Sequence, residues 1–413
     1  MLVPSIDIMD GKAVQLKQGK DFVLESEKTP LELAKEFNRY GEVAVIDLDA
    51  ALGKGDNFEL IQSICRVADV RVGGGIRDSK KGIDLLKAGA KRIIVGTKAT
   101  PEFLAKLPRE QVMVALDHKG EVVVDQGWAN STGETIWQRA ERLAPFCSGF
   151  LTTFVEGEGC LEGMNLDAVK KLREKLPGQL TVAGGIKETN EVAAISALGI
   201  DVQVGMALYR GLVNPADAVV QSVRFDSFDN GLVPTVVQDQ SGQVLMVAYS
   251  SPESLKLALT TGTGVYYSRS RKGIWHKGDT SGSVQELVSC RVDCDRDCLL
   301  FIVRQTGHAC HNETYSCFGQ AGSDRRFSLP ELFDIVKDRK ANPKPDSYTA
   351  KLFDSRRMLL KKIMEEAYEV VSYEDRANLR WEIADLVYFL SVLAVDEGID
   401  WQEIECELAS RRR

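Results

Sequence analysis

No uninterrupted apolar run in the 413 residues reaches the length of about 20 that a membrane-spanning helix needs. The N-terminal stretch MLVPSIDIMDGK lacks the charged-then-apolar pattern of a leader and enters directly into a strand, so neither a signal peptide nor an anchor is expected. Cysteine is sparse and odd in number, nine in all, which argues against a disulfide framework. With no secretory feature, a reducing cytoplasmic setting with thiols or thiolate-bound metal is expected. Positive charge is not in excess either: a net charge of −8 disfavours general nucleic-acid binding, although local basic clusters still suit phosphate groups. What is present is ample apolar material, 44% of residues, enough for two to four domains with separate cores.

From the start to about Arg224, short runs rich in Val and Ile alternate with helix-like segments. LVPSIDI, VAVIDLD, VRVGGG, RIIVGT, VMVALD, GFLTTF, LTVAGG and VQVGMA predict eight strands of a closed (β/α)8 TIM barrel, with its active site at the strand C-terminal ends. VGGGIR followed by VGT is echoed by VAGGIK followed by VGM, which suggests two duplicated halves. Each half offers glycine-rich loops able to cradle a phosphate: Gly74, Gly75 with Gly96, Thr97, and Gly184, Gly185 with Gly205, Met206. Any single pair of glycines is ordinarily a tight turn, but four loops in matched positions point to a ligand phosphorylated at both ends. Asp7 closes the first strand and Asp117 the fifth, half a barrel away, which is the placement of a general acid and base.

These residues, with SIDIMDGKAVQLKQG, VGGGIR, ALDHKG, the Trp128 of GW, and VGMALYRG, resemble the histidine-biosynthesis isomerase that converts the aminoaldose ProFAR to the aminoketose PRFAR. The resemblance implies Asp7 as base, Asp117 as acid, Thr153 as an orienting hydroxyl, Trp128 as an aromatic surface for the substrate, and Arg77 in the phosphate-binding set. One stretch departs from the family. Where Arg or Lys and then Asp-Gly-Thr-Leu are usual, this chain reads EGEGCLEG, with Gly157 and Glu158 at the basic and acidic positions and Cys160 at the threonine. A barrel kept only as a scaffold is therefore an alternative.

A fresh β-rich pattern follows the polar turn SFDNGLVPTVVQ, placing a boundary near 224, and runs to about residue 324. It contains VDCDRDC. An acidic surface turn is the ordinary explanation of such a run; were it extended instead, Asp293, Asp295 and Asp297 would share one face and Cys294 the other. An EF-hand loop fits poorly, because Cys298 and Arg304 stand where Gly and Glu are needed. Downstream, HACHNETYSCF supplies Cys310 and Cys317, so three thiolates leave a tetrahedral Zn2+ one open position. GVYYSRSRKGIWHKGDTSG adds Arg269, Arg271 and Lys277 for phosphate and ribose. Together these motifs resemble phosphoribosyl-AMP cyclohydrolase. That resemblance implies Cys294, Cys310 and Cys317 on catalytic Zn2+, Asp293, Asp295 and Asp297 on Mg2+, and His311 as proton shuttle or prop. It also implies zinc ligands drawn from two subunits, hence a homodimer.

The third region, 325–413 after the linker GQAGSDRR, lacks strand signals. SRRMLLKKIMEEAYEVV and NLRWEIADLVYFLSVLAVDEG read as amphipathic helices. Glu366 and Glu369 share one helical face, and Glu382 and Asp385 another. One such pair is ordinarily a solvated face, but Glu382 and Asp385 stand amid apolar neighbours. EExxE followed by ExxD resembles the all-α (MazG-like) pyrophosphohydrolases, and SYTAKLF narrows the resemblance to phosphoribosyl-ATP pyrophosphohydrolase. It implies Mg2+ on the four carboxylates, with Lys351, Arg356, Arg357, Lys361 and Lys362 as candidate phosphate contacts. The three resemblances name consecutive steps on small phosphoribosyl nucleotides. The expectation is a multidomain enzyme: a barrel over 1–224, an α+β metal-binding domain over 225–324 and an all-α domain over 325–413.

Overall fold

Strands whose residues are apolar on both faces belong in a sheet covered on both sides, and the short Val- and Ile-rich runs of the first region form one. In the computed structural model, which describes every residue except 20, 126, 129, 320–326, 345 and 412–413, eight parallel strands close on themselves. They are β1 (Leu2–Met9), β2 (Val43–Asp47), β3 (Val70–Gly73), β4 (Arg92–Val95), β5 (Val112–Lys119), β6 (Gly149–Phe154), β7 (Gln179–Ala183) and β8 (Asp201–Val204). Each pairs with the next, and β8 returns to β1 through Leu2 opposite Val202. The eight expected strands are all present.

The duplication inferred from glycine motifs recurs in a feature that those motifs did not announce. β1 continues into an antiparallel hairpin, Lys12–Lys17 with Asp21–Glu25, and β5 into another, Val122–Asp125 with Asn130–Thr135. Both rise from the strand C-terminal end.

Inside the barrel, Ile94, Met113, Leu151 and Ala183 form an apolar layer beneath the mouth. The opposite end is plugged by charge. Arg71 of β3 is 1% exposed, donates to Thr181 Oγ1 at 2.8 Å and pairs with Glu42 and with Asp201 at 3.2 Å, while the N-terminal ammonium meets Asp201 at 3.0 Å.

The middle region forms a four-stranded sheet ordered β10-β9-β12-β11, from β9 (Val233–Asp239), β10 (Val244–Ser250), β11 (Gln285–Val292) and β12 (Leu299–Gln305). It packs with the barrel as one compact unit, Met1–Asp324, around a continuous apolar core. Arg291 pairs with Asp69 of the barrel at 2.7 Å, Cys290 N donates to the Arg39 carbonyl at 3.0 Å, and Lys256 pairs with Asp217 at 2.6 Å. The expected linker to the third region lies almost wholly in 320–326, outside the described residues.

That third region is a second compact unit with its own core, in which Phe333, Val336, Leu352, Leu359, Phe389 and Val392 are buried. Its five helices are Leu329–Ala341, Tyr348–Asp354, Arg356–Val371, Arg376–Asp396 and Trp401–Ser410. Ser347 and Ser355 cap the second and third, and Asp375 caps the fourth. Among the described residues no helix is long and apolar enough to cross a membrane.

Removing a buried cation strands its partner carboxylates, at a cost of about 3–5 kcal/mol. Arg71→Met is therefore expected to destabilise the barrel by about that amount, read as a lower urea midpoint; an unchanged midpoint would show that the charged plug is dispensable.

Candidate active sites

The strand C-terminal ends surround a cavity of about 770 Å3 that contains the carboxylates of Asp7, Asp117 and Glu158. Asp7 is half-buried on β1 and accepts from Ser5 Oγ at 3.1 Å; loss of hydration pushes its carboxyl up to about 6. Asp117 on β5 is also raised by burial, although Thr153 and Trp128 both hydrogen-bond to it. The Trp128 indole N–H donates to Asp117 Oδ2 at 2.8 Å, so this residue holds the carboxylate as well as presenting a ring. Trp128 comes from the β5 hairpin with φ of +69°, and its ring abuts Gly19 of the β1 hairpin, where an added Cβ would lie 2.9 Å from it. Thus the two hairpins meet across the mouth.

The departing loop is nevertheless closed over this cavity. Gln18 N donates to the Glu158 carbonyl at 3.1 Å and Gly163 N to the Gly185 carbonyl at 2.9 Å. A Cβ on Gly157 would sit 3.3 Å from Gly185 Cα, so the backbone lies flat on the glycine turn. Glu158 points inward: burial first, then the charges of Asp7 and Asp117, push its carboxyl up to about 8.

The glycine loops line the same cavity, together with Thr97, Met206 and Arg77. Gly74, Gly75, Gly184 and Gly185 all have left-handed φ, and a Cβ on Gly74 would strike the Asp47 carbonyl oxygen at 2.2 Å. Gly96 and Gly205 have no such φ; a Cβ on Gly205 would meet the Gln15 amide at 2.6 Å. Arg77 donates to the Ala51 carbonyl at 2.6 Å.

In the middle region the acidic run is a loop between β11 and β12, not the extended segment considered from alternation. Asp293 Oδ1 accepts from the backbone N–H groups of Asp297 and Cys298, both at 3.0 Å, and Arg296 adopts φ of +67°. These local bonds compete with an extended backbone and win. Asp293, Asp295 and Asp297 still offer oxygens that all lie within 4.8 Å of one another, although by turning and not by alternation.

Cys310 and Cys317 each influence the other's titration, and His311 Nδ1 lies 3.9 Å from Cys310 Sγ. Backbone N–H donation leads the effects that lower the Cys310 thiol, whereas burial raises Cys317 to about 11. Among the described residues Cys294 does not form a metal-ligand cluster with them within one chain; its thiol is directed to Asp295 Oδ1, at 4.0 Å. Lys277 donates to the carbonyls of Ser283 and His308 at 3.3 and 3.2 Å, and its ammonium feels the charge of the Cys317 and Cys310 thiolates. Arg269 stacks on Tyr249 at 3.9 Å, and Arg271 caps the turn through Ser268.

In the helical unit Glu366, Glu382 and Asp385 converge, again with oxygens within 4.8 Å. Glu369 lies beside Glu382, and burial followed by its acidic neighbours raises its carboxyl. Lys362 is engaged by Glu366 at 2.8 Å, while Lys361, Lys351 and Arg357 are exposed and Arg356 pairs with Glu397. Asn378 donates to Glu382 Oε1 at 2.6 Å. Its place one helical turn before Glu382 was a legible signal that sequence reasoning missed.

The raised Glu158 carboxyl carries a sign. Between its ordinary value of 4.5 and about 8 the folded chain retains a proton that the unfolded chain has lost, so stability falls as pH rises through that window. Glu158→Gln removes the titration at constant shape. Its stability relative to the parent is expected to climb from about pH 4.5 to about pH 8.5 in urea titrations; a pH-independent difference would contradict the burial of this acid.

Comparison with known proteins places the three regions in order. Residues 1–214 match the histidine biosynthesis protein family, 246–319 phosphoribosyl-AMP cyclohydrolase, and 329–412 phosphoribosyl-ATP pyrophosphohydrolase. The histidine biosynthesis bifunctional protein HisIE of Pyrococcus furiosus is 43% identical over 195 residues, 45% of this chain and 93% of that protein. The bifunctional protein his7 of Schizosaccharomyces pombe is 44% identical over 199 residues, 48% of this chain and 46% of that protein, so the match spans about half of it. The trifunctional protein of Kluyveromyces lactis is 41% identical over 197 residues, 47% of this chain and 24% of its own length. An eight-stranded barrel with paired glycine turns, followed by a cysteine-bearing sheet and a helical carboxylate cluster, thus belongs to the histidine biosynthesis protein family, with a cyclohydrolase and a pyrophosphohydrolase region joined to the barrel.

Proposed function

We propose that the chain performs three consecutive steps: release of pyrophosphate from phosphoribosyl-ATP, hydrolytic opening of the adenine ring of phosphoribosyl-AMP to ProFAR, and isomerisation of ProFAR to PRFAR. The observation that carries this reading is the coincidence of each family match with a cluster of suitable reactive groups.

In the helical unit, Glu366, Glu382 and Asp385, with Glu369 beside them, are an all-oxygen set of the kind that fits Mg2+. A bound Mg2+ would screen the triphosphate and orient it for attack by water. Asn378 fixes Glu382, and Lys361 with Lys351 supplies exposed charge for the departing phosphates.

In the middle region the Cys310–Cys317 pair fits Zn2+, with Cys294 of a second copy as the third thiolate, which makes the working unit a homodimer. Zn2+ bound there would acidify a water for attack on the adenine ring. Lys277 keeps positive charge against the thiols, His311 is placed to move a proton, and Asp293, Asp295 and Asp297 fit Mg2+. In the helical unit, exposed Met364, Tyr368, Val371 and Trp381 suit a second copy as well.

At the barrel mouth Asp7 removes the C2 proton as base and Asp117, held by Trp128 and Thr153, donates to the opening ribose ring. The glycine turns hold the two phosphates. These reactions and the absence of a disulfide among the described residues suit the cytoplasm. A second reading, with a noncatalytic barrel, is favoured by Gly157 and Glu158, which stand where the resemblance to the isomerase implies a cation and an aspartate.

The deciding experiment supplies phosphoribosyl-ATP with Mg2+ and Zn2+ to the purified full chain. PRFAR is the expected end product; accumulation of ProFAR would select the noncatalytic barrel. Cys310→Ala should halt the sequence at phosphoribosyl-AMP while pyrophosphate is still released, since the two sites lie in separate units. Supplied with ProFAR, Asp7→Asn is expected to lose isomerisation by at least about a hundredfold, the lower end for a missing acid–base group; undiminished turnover would remove Asp7 from the reaction.

A further inference from the structure

The acidic loop of the middle region touches the barrel, at a place where neither the isomerase nor the cyclohydrolase chemistry requires contact. The last helix of the barrel, Pro215–Ser222, ends with carbonyls that have no partner within the helix. Arg296, between Asp295 and Asp297, donates from Nη1 to one of these, Ser222 O, at 3.2 Å. In return Arg224 N, two residues past the helix, donates to Arg296 O at 2.6 Å, and Arg224 Nη1 reaches Asp295 O at 3.4 Å. Arg296 is also the residue of the loop with left-handed φ, +67°, a conformation costly for a side chain with a Cβ. The bend it makes allows Asp293 Oδ1 to receive the N–H groups of Asp297 and Cys298.

We infer that the barrel is a clamp for the metal loop: Arg296 and the Arg224 N–H hold the bend that brings Asp293, Asp295 and Asp297 together. The exchange is mutual. A guanidinium neutralises the negative end of the barrel helix, and the barrel's backbone fixes the carbonyl of the strained residue. Arg296 is thus a positioning residue, and the barrel serves ring opening whether or not it turns over ProFAR. The inference rests on the assignment of a divalent cation to this loop.

Two substitutions remove the clamp with little cost to local backbone. Arg296→Gly keeps the left-handed conformation and loses the guanidinium. Arg224→Pro loses the N–H; its predecessor Val223 is already extended, at φ −86° and ψ 138°, as a residue before proline must be. Each is made in full-length chain carrying Glu366→Gln, Glu382→Gln and Asp385→Asn, so that Mn2+ counted by electron paramagnetic resonance reports on the loop. Both should weaken Mn2+ binding by about tenfold or more, as loss of a ligand-orienting contact does. Arg296→Lys, which retains a donor for Ser222 O, should recover part of it.

Hydrogen exchange of the Asp297 and Cys298 amides without metal should accelerate by at least about tenfold in both variants, since the loop then opens locally. Parent-like exchange together with parent-like Mn2+ affinity would overturn the clamp. If Asp295→Asn leaves Mn2+ binding of the parent unchanged, the metal assignment itself fails and takes the functional part of the inference with it. The exchange rates alone then decide whether the barrel holds the loop.

Discussion

Carboxylates repel one another, and at 4 Å near a protein surface the repulsion is of order 4 kcal/mol per pair. Three times this chain brings such groups together, and each time the surrounding fold supplies a different remedy. At the barrel mouth the remedy is a retained proton, because Glu158 shares a dehydrated cavity with Asp7 and Asp117. In the middle loop it is backbone N–H donation to Asp293. In the helical unit it is a cation and an amide, Lys362 on Glu366 and Asn378 on Glu382. The scaffold does the opposing work: none of these clusters would assemble unless apolar cores elsewhere held their elements in place.

Much of this was legible from residue order. Period-two and continuous apolar runs are strong signals, and all eight barrel strands follow from them, as do both long helices of the last region. Carboxylate pairs three apart were legible because a helix places such residues on one face. The acidic loop was half legible. A turn was the ordinary reading of the run and the structure has one, but nothing local revealed that Asp293 would bond the backbone beyond it. What the basic run did not reveal is that the chain turns inward at Lys277, whose neighbours Arg269 and Arg271 are exposed, and brings its ammonium under the influence of thiols distant in sequence.

The loop that departs from the family illustrates how a substitution can be absorbed. Glycine at 157 lets the backbone settle on the Gly184–Gly185 turn, and the longer side chain of glutamate reaches into the cavity from there. The mouth thus carries no cation at position 157 and holds an acid at 158 whose proton is retained up to about pH 8. For the doubly phosphorylated ligand proposed above, the cavity would then rely more on backbone N–H groups and less on charge.

The continuous core beneath the barrel and the middle sheet bears on where such a chain can be divided. Two regions that bury apolar surface against each other cannot be separated without exposing that surface, so a cut near residue 224 leaves an apolar face on each piece. Across their seam Arg291 of the sheet pairs with Asp69 of the barrel, so a substitution at Asp69 takes from Arg291 its carboxylate partner.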